Sequence, residues 1–274
     1  WLEAQAQHAS ALAEAALSVG AFRERMRVAP DGARSRLLFW QAVAIAAIAG
    51  ERVPVDQFAL MRLGQLFGPV AGSQSFRQAS AVFDALEGAS PQRPMARGRA
   101  ELLHPLIRAA FHCLRTDFHP AGDSVALSLA LAVRLADPDP SDTCGFLPVL
   151  PRPWPKPGAE ARVAWWLDAL QSGCAQAMAQ LTLLEDWRNR ANIALKGWSG
   201  RTPQRLVRVI GAWPLVSAAM AQTEIRASRA AIQRNLDRLQ REGLVREVTG
   251  QDRYRLWAAD LGPVSRTPAP STTG

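Results

Sequence analysis

Between Ser228 and Gly243 the sequence repeats apolar residues at the spacing of an α-helix. Ile232, Leu236 and Leu239 stand at positions i, i+4 and i+7, so they share one helix face. Ser228 is a favoured N-cap residue, and glycine is the residue most often found just past a helix end. The sequence therefore predicts a capped amphipathic helix with Arg and Gln side chains on its other faces.

The segments around this helix predict a winged helix-turn-helix domain over residues 203–260. The expected elements are a short helix over 204–210, an extended segment over 213–216, a helix capped by Ser217 and ending near Gln222, a strand over 244–249, a tight turn at 250–252 and a returning strand over 253–257. This order of helix, turn, helix and two-stranded ribbon is typical of winged helices, and it resembles the domains of many bacterial regulators.

Positive charge is concentrated in this same part of the chain. The whole chain has a formal net charge of +8. Residues 201–257 hold 11 arginines and no lysine against 5 carboxylates, a net charge of +6. A basic balance confined to one small segment favours a polyanionic partner, although a solvated basic face has the same composition.

Side-chain chemistry identifies double-stranded DNA as the expected partner. The major groove admits one helix, where Arg bonds guanine and Gln bonds adenine through two hydrogen bonds each, while ribbon arginines contact phosphate. The candidate DNA-binding residues are Ser228, Arg229, Gln233, Arg234 and Arg241 on the helix, and Arg246, Arg253 and Arg255 on the ribbon. The alternative is a winged helix used for protein contact or dimerisation.

The preceding residues predict a helical domain over 1–196, because Ala, Leu and Arg dominate its long segments. Helices are expected over 2–26, 33–49, 55–66, 75–86, 99–114 and 124–136, with a loop at 90–98, and residues 159–194 are expected to form one long helix or two stacked ones. Residues 137–157 hold seven prolines and predict an extended excursion over the surface. Residues 196–203 predict the linker between the domains, and residues 261–274 a disordered tail.

Three stretches of the helical domain resemble the Fic family, whose active members transfer AMP to hydroxyl side chains. Residues 37–43 with 49–53 resemble an early helix of the family and the turn after it. Residues 104–111 resemble the helix before the active loop, and residues 117–123 resemble the start of that loop. Many relatives also end in a winged helix. The resemblance implies a Fic-like helical bundle, and thus a mainly α fold.

The family motif is incomplete in this chain. His119 matches the base that takes the hydroxyl proton, Pro120 matches its neighbour, and Asp123 matches the acid that holds magnesium. Residues 124–126 replace Gly-Asn-Gly, and Leu127 and Ala130 replace two arginines, which removes the phosphate site. Ala49 stands where an inhibitory helix carries its glutamate. His119 and Asp123 are therefore expected to be catalytically inactive remnants within a helix cap and turn.

Other residue types favour a protein without cofactor or metal. Cys113, Cys144 and Cys174 are odd in number and widely spaced, which favours free thiols in the cytoplasm, and His104 with His112 forms no metal-binding pattern. The strongest apolar run, 37–50, is too short for a membrane span.

The leading hypothesis is a transcriptional regulator whose inactive Fic-like domain serves dimerisation or sensing. A residual nucleotidyl transferase and an antitoxin-like interaction module are the alternatives.

Overall fold

The chain forms two compact units in a computed structural model, Trp1–Leu181 and Thr182–Gly274. The structure describes residues 1–48, 52–64, 71–88, 98–114, 123–137, 145–250 and 255–262. The division between the units falls inside a long helix and precedes the linker that was predicted at 196–203. Those residues belong to the second unit.

The first unit is mainly helical in its described residues, as predicted. It contains α1 (Leu2–Gln7), α2 (Ala9–Arg27), α3 (Ala33–Ala46), α4 (Val55–Arg62), α5 (Gln74–Glu87), a 3₁₀ helix (Gly98–Leu102), α6 (Pro105–Leu114), α7 (Asp123–Ala136) and the first part of α8 (Ala159–Ala194). Two predicted helices are each divided in two. The first breaks at His8, and the second breaks before Pro105, because proline lacks an N–H and disfavours helical backbone at the residue before it.

The core of the first unit forms where α5 packs against α3 and α7, and α6 packs against α7. Three aromatic rings from α3, α4 and α5 meet there: the Phe39 and Phe83 centroids are 4.9 Å apart, and Phe58 lies 5.8 and 5.9 Å from them. Trp166 of α8 is fully buried, and its indole N–H donates to the Leu106 oxygen of α6 at 3.1 Å. These contacts bury the apolar helix faces that the sequence pattern predicted.

Residues 145–149 of the proline-rich segment before α8 are buried, so the predicted surface path was wrong for them, whereas residues 150–158 are part-exposed or exposed. Phe146, Leu147 and Val149 are fully buried. The side chain of Gln41, itself buried, donates to the Val149 oxygen at 3.0 Å and accepts the Val149 N–H at 2.8 Å. A buried amide thus supplies the backbone hydrogen bonds that an extended segment lacks when no strand runs beside it.

In its described residues the second unit contains three short helices and a small sheet after the end of α8. Its elements are α9 (Thr202–Ala212), β1 (Val216–Ser217), α10 (Ala218–Ile225), α11 (Arg229–Arg241), β2 (Val245–Glu247) and β3 (Leu256–Ala259). The sheet is antiparallel, with the strand order β1-β3-β2. It has three strands where two were predicted, because Val216 pairs with Trp257 and Ser217 with Leu256.

Several predictions fall outside the described residues. These are the remnant His119, the inhibitory-helix position Ala49, Cys144, the loop at 90–97, the wing residue Arg253 and the tail beyond Gly262. Asp123 begins α7. Within the described ranges, no helix combines the length and the apolar character that a membrane crossing requires.

Candidate nucleic-acid interface

Two serines determine where the helices of the helix-turn-helix begin. Ser217 Oγ accepts the N–H of Met220 at 3.0 Å and caps α10, and Ser228 Oγ accepts the N–H of Ala231 at 3.3 Å and caps α11. Each serine satisfies one backbone donor that a helix start leaves unpaired. Both predicted caps are confirmed.

The turn between α10 and α11 is closed by a residue in a left-handed conformation. Arg226 has φ of 57°, and its N–H donates to the Gln222 oxygen at 2.9 Å. Glycine is the usual residue there, because a Cβ makes this conformation costly. Arg205 of α9 donates to the Ile225 oxygen at 3.4 Å, which satisfies another carbonyl at the end of α10. Sequence reasoning assigned no role to either arginine.

α11 buries one face and exposes the opposite one. Ile232, Leu236 and Leu239 are fully buried against α9 and α10, as predicted. Arg234 and Arg241 lie seven residues apart, so they project from the same exposed face. The helix carries four arginines against one aspartate, a net charge of +3, and no acidic residue in its first turn. Its outward surface is therefore strongly cationic.

Hydrogen bonds and an ion pair fix the side chains along one edge of the cationic surface of α11. Gln233 donates its side-chain amide to Asp237 at 2.8 Å, and Arg255 lies 3.7 Å from the same carboxylate. Arg255 also donates to the Gln240 side chain at 3.3 Å, and its guanidinium lies 5.2 Å from the centre of the Trp257 ring. Arg255 therefore faces α11, and the part-buried Gln233 already uses its amide within the protein.

The C-terminal half of α11 is braced on its other edge by an aromatic side chain. The guanidinium of Arg238 lies 3.6 Å from the ring centre of Trp198, in the connection between α8 and α9. This cation–π contact orients the arginine, while the N–H edges of its planar group remain able to donate. Sequence reasoning left Arg238 out, although it follows Arg234 by one helical turn.

The hairpin of β2 and β3, here called the wing, carries Arg246 and Glu247. Arg246 is exposed and pairs with Ala258 across the ladder. Burial by itself raises the pKa of Glu247. Hydrogen bonds from the hydroxyl and N–H of Thr249 and the N–H of Gly250, with the charge of Arg255, outweigh it, so the pKa lies below its usual value. The ionised Glu247 thus fixes the backbone at Thr249 and Gly250, just after β2.

The predicted interface residues fall into three groups. Ser228 caps α11, and Arg229, Arg234 and Arg241 are exposed along it, with Arg246 exposed on the wing. Gln233 and Arg255 are joined through Asp237. Arg253 lies outside the described residues. The signal that would have identified Arg238 is its spacing from Arg234 and Arg241, which continues the same basic stripe.

The remaining polar candidates of the first unit are one histidine and two cysteines. His104 accepts the Leu106 N–H on Nδ1 at 3.3 Å, and burial together with the charge of Arg108 lowers its pKa. Cys113 and Cys174 are free, and burial raises the pKa of both thiols to about 12. In the described part of the chain, no group of three His, Cys, Asp or Glu side chains could hold a metal ion.

Comparison with known proteins finds a similarity within the second unit. Residues 203–259 match the family described as HTH DNA binding domain. The match begins in α9 and ends at the last residue of β3, so it covers the helix-turn-helix and the wing. No curated protein matches the chain. The matched range contains none of the three stretches that resemble the Fic family, and that resemblance receives no support from it.

Proposed function

We propose that this protein binds double-stranded DNA with α11 in the major groove and acts as a transcriptional regulator. The observation that carries the proposal is the exposed arginine stripe of α11 within a domain that matches HTH DNA binding domains. A helix with one apolar face toward its own core and four arginines in 13 residues has the width and charge that the groove accepts.

The start of α11 is well suited to a backbone phosphate. A helix N-terminus carries a partial positive charge, which an acidic residue commonly balances. Here the first turn has no acid, and Arg229 adds a further positive charge beside the Ser228 cap. This arrangement is unfavourable for the free protein and favourable once a phosphate lies at the helix end. Ser228 still has a hydroxyl proton to donate to such a phosphate.

Different residues of the surface suit different contacts. Arg234 projects outward from the first half of α11, and we assign it to base edges together with Arg229. Arg241 and Arg246 are exposed farther along and suit phosphate. Gln233 would have to release Asp237 before it could read an adenine. We assign Arg255 to holding the wing against α11, since its guanidinium is already engaged there.

For the first unit we propose a Fic-like scaffold without transferase activity, used for dimerisation or sensing. α6 and α7 occur in the order that the resemblance implies, on either side of residues 115–122. Ala130, at the position of the second family arginine, is completely buried, so a phosphate-binding side chain is replaced by core packing. Calorimetry with Mg-ATP tests this: we expect no binding, and micromolar binding would favour the transferase alternative.

Selection of duplexes from a random pool by the full chain tests DNA binding. We expect enrichment of a preferred sequence, and fluorescence anisotropy should then show that Arg234→Ala loses about 1–3 kcal/mol of binding free energy and part of the sequence preference. Arg99→Ala is the charge-matched control on an exposed arginine of the first unit. Absence of duplex binding at about 50 mM salt, where phosphate contacts are strongest, would favour an interaction module instead.

A further inference from the structure

A cationic cleft lies between the C-terminal part of α8 and α9, within the second unit. Its volume is about 290 Å³. The lining residues are Arg188, Asn192, Leu195 and Lys196 on the α8 side and Gln204, Val207 and Arg208 on α9. Leu195 and Val207 are buried and form an apolar floor, and the polar side chains form the rim. A small ligand would find here a concave apolar surface and polar groups that fix its orientation.

The spacing of the lining residues explains why their side chains converge. Arg188 and Asn192 on α8 and Leu195 just past its end stand at i, i+4 and i+7, which places them on one side of the chain. On α9, Gln204 and Arg208 are one turn apart and share the side that turns toward α8. Two helix faces with polar, nitrogen-bearing side chains thus meet at the cleft.

The cleft lies apart from the surface assigned to the DNA grooves. Arg205, the next residue along α9, donates to the carbonyl end of α10, whereas Gln204 and Arg208 line the cleft on the α8 side. Among the described residues of α10, α11 and the wing, none lines it. Binding there is therefore a separate event from insertion of α11 into a groove.

The charges of the cleft are unbalanced among the described residues. Arg188, Lys196 and Arg208 are cations, and no acidic side chain of a described residue lines the cleft. None of these three, nor Asn192 or Gln204, has a side-chain hydrogen bond or ion pair within the described part of the chain. Like charges held together without a counter-charge repel one another, and an anion between them would remove that repulsion.

We propose that this cleft binds a phosphate group. Two guanidinium groups can each donate two parallel hydrogen bonds to phosphate oxygens, lysine adds a compact charge, and the two amides add neutral donors. Three cations match a dianionic phosphate better than a single carboxylate. The phosphate can belong to the backbone of a duplex outside the grooves or to a free phosphorylated molecule, and the experiment separates these sources. The free-phosphate case does not depend on the proposed DNA binding.

The lysine content of the chain provides a direct test. The sequence contains only two lysines, Lys156 and Lys196. Lys156 is exposed and lies outside the cleft, so it serves as an internal control in the same molecule. Acetylation of the full chain is followed by mass spectrometry in chloride, in inorganic phosphate at matched ionic strength, and with duplex DNA. Phosphate at ten times its Kd should slow Lys196 acetylation about tenfold and leave Lys156 unchanged.

Two variants of the cleft test whether its side chains cause the protection of Lys196. Arg208→Gln, at an exposed position, and Asn192→Asp, which introduces a negative charge, should each abolish the protection of Lys196. Protection by duplex but not by inorganic phosphate would identify the DNA backbone as the source, protection by inorganic phosphate but not by duplex would identify a free phosphorylated molecule, and protection by both would show that the cleft accepts either. Equal protection of both lysines, or none of Lys196, would overturn the proposal, even if anisotropy shows that the full chain binds DNA.

Discussion

Trp187 donates its indole N–H to the backbone oxygen of Leu244 across 2.7 Å. The same oxygen accepts the N–H of Asp260 at 2.9 Å. Trp187 is fully buried, and Gly211 of α9 leaves room for its ring, since a Cβ there would lie only 3.3 Å from Trp187 Cζ3. A side chain of α8 therefore completes the core of the helix-turn-helix unit.

Trp187→Phe should lower the free energy of unfolding of the second unit by about 1–3 kcal/mol, because it removes one hydrogen bond and leaves a small cavity. The Leu244 oxygen keeps its bond from Asp260, which limits the loss. Urea denaturation followed by circular dichroism measures the effect. Trp154→Phe, in the first unit, is the control, and an equal change in both variants would show that Trp187 has no special role.

A fragment of residues 182–262 should melt cooperatively and at a higher temperature than a fragment of residues 203–259. The shorter fragment covers the whole family match but lacks Trp187, whose loss removes about 3–5 kcal/mol from a typical stability of about 5–15 kcal/mol. Differential scanning calorimetry compares the two. Equal melting temperatures would mean that α8 contributes nothing to the stability of the domain.

Gly173→Ala should destabilise the first unit by at least the 1–3 kcal/mol typical of overpacking. A Cβ on this α8 residue would overlap the Val149 Cα and the Pro148 oxygen, and backbone atoms cannot swing aside. Gly20→Ala on α2 is the matched control. Its Cβ meets nothing within 4 Å, so it should stabilise the helix by up to about 1 kcal/mol. Thermal unfolding measures both variants, and a lower melting temperature for Gly173→Ala with a higher one for Gly20→Ala would confirm this packing.

Glu247→Gln should lower stability at neutral pH, with a difference from wild type that shrinks in acid. The folded pKa of Glu247 is lowered, so its contribution is present above the unfolded pKa and disappears as the pH falls through the folded pKa. Urea titrations between about pH 3 and 7 measure this window, which begins near the ordinary glutamate pKa of about 4.3. Glu14→Gln, at an exposed position of α2, controls for loss of charge. A pH-independent difference would contradict the prediction.

Arg246→Ala and Arg255→Ala should have different effects on DNA binding. Arg246 is assigned to phosphate, so its loss should reduce the salt slope of binding by about one and weaken all duplexes alike. Arg255 is held by Asp237 and Gln240. Its loss should lower the affinity for DNA because the wing is displaced, while the salt slope of binding stays nearly constant. Anisotropy titrations over a salt series compare them. Equal changes in slope would place both arginines on phosphate.

The helix-turn-helix was predictable because its determinants are local. The caps Ser217 and Ser228 hydrogen-bond three residues ahead, and the apolar positions of α11 follow the helical period. The third strand was not foreseen, because β1 is only two residues long and pairs with Leu256 and Trp257, about forty residues away. The shift of the returning strand to Leu256–Ala259 has the same cause. Strand pairing depends on a partner that the local pattern does not specify.

The sequence by itself determined a mainly helical chain with a capped, arginine-faced helix in its last quarter, since helix propensity, caps and apolar spacing act within a few residues. Only the tertiary structure decided where the non-local partners lie. The pairing of Gln41 with Val149 spans 108 residues, and it draws a proline-rich segment into the core. Trp187 joins the DNA-binding unit from a helix that begins outside it, and the cationic cleft forms only where α8 and α9 meet. Such contacts follow from the packing of distant faces, which a local pattern of residue types does not encode.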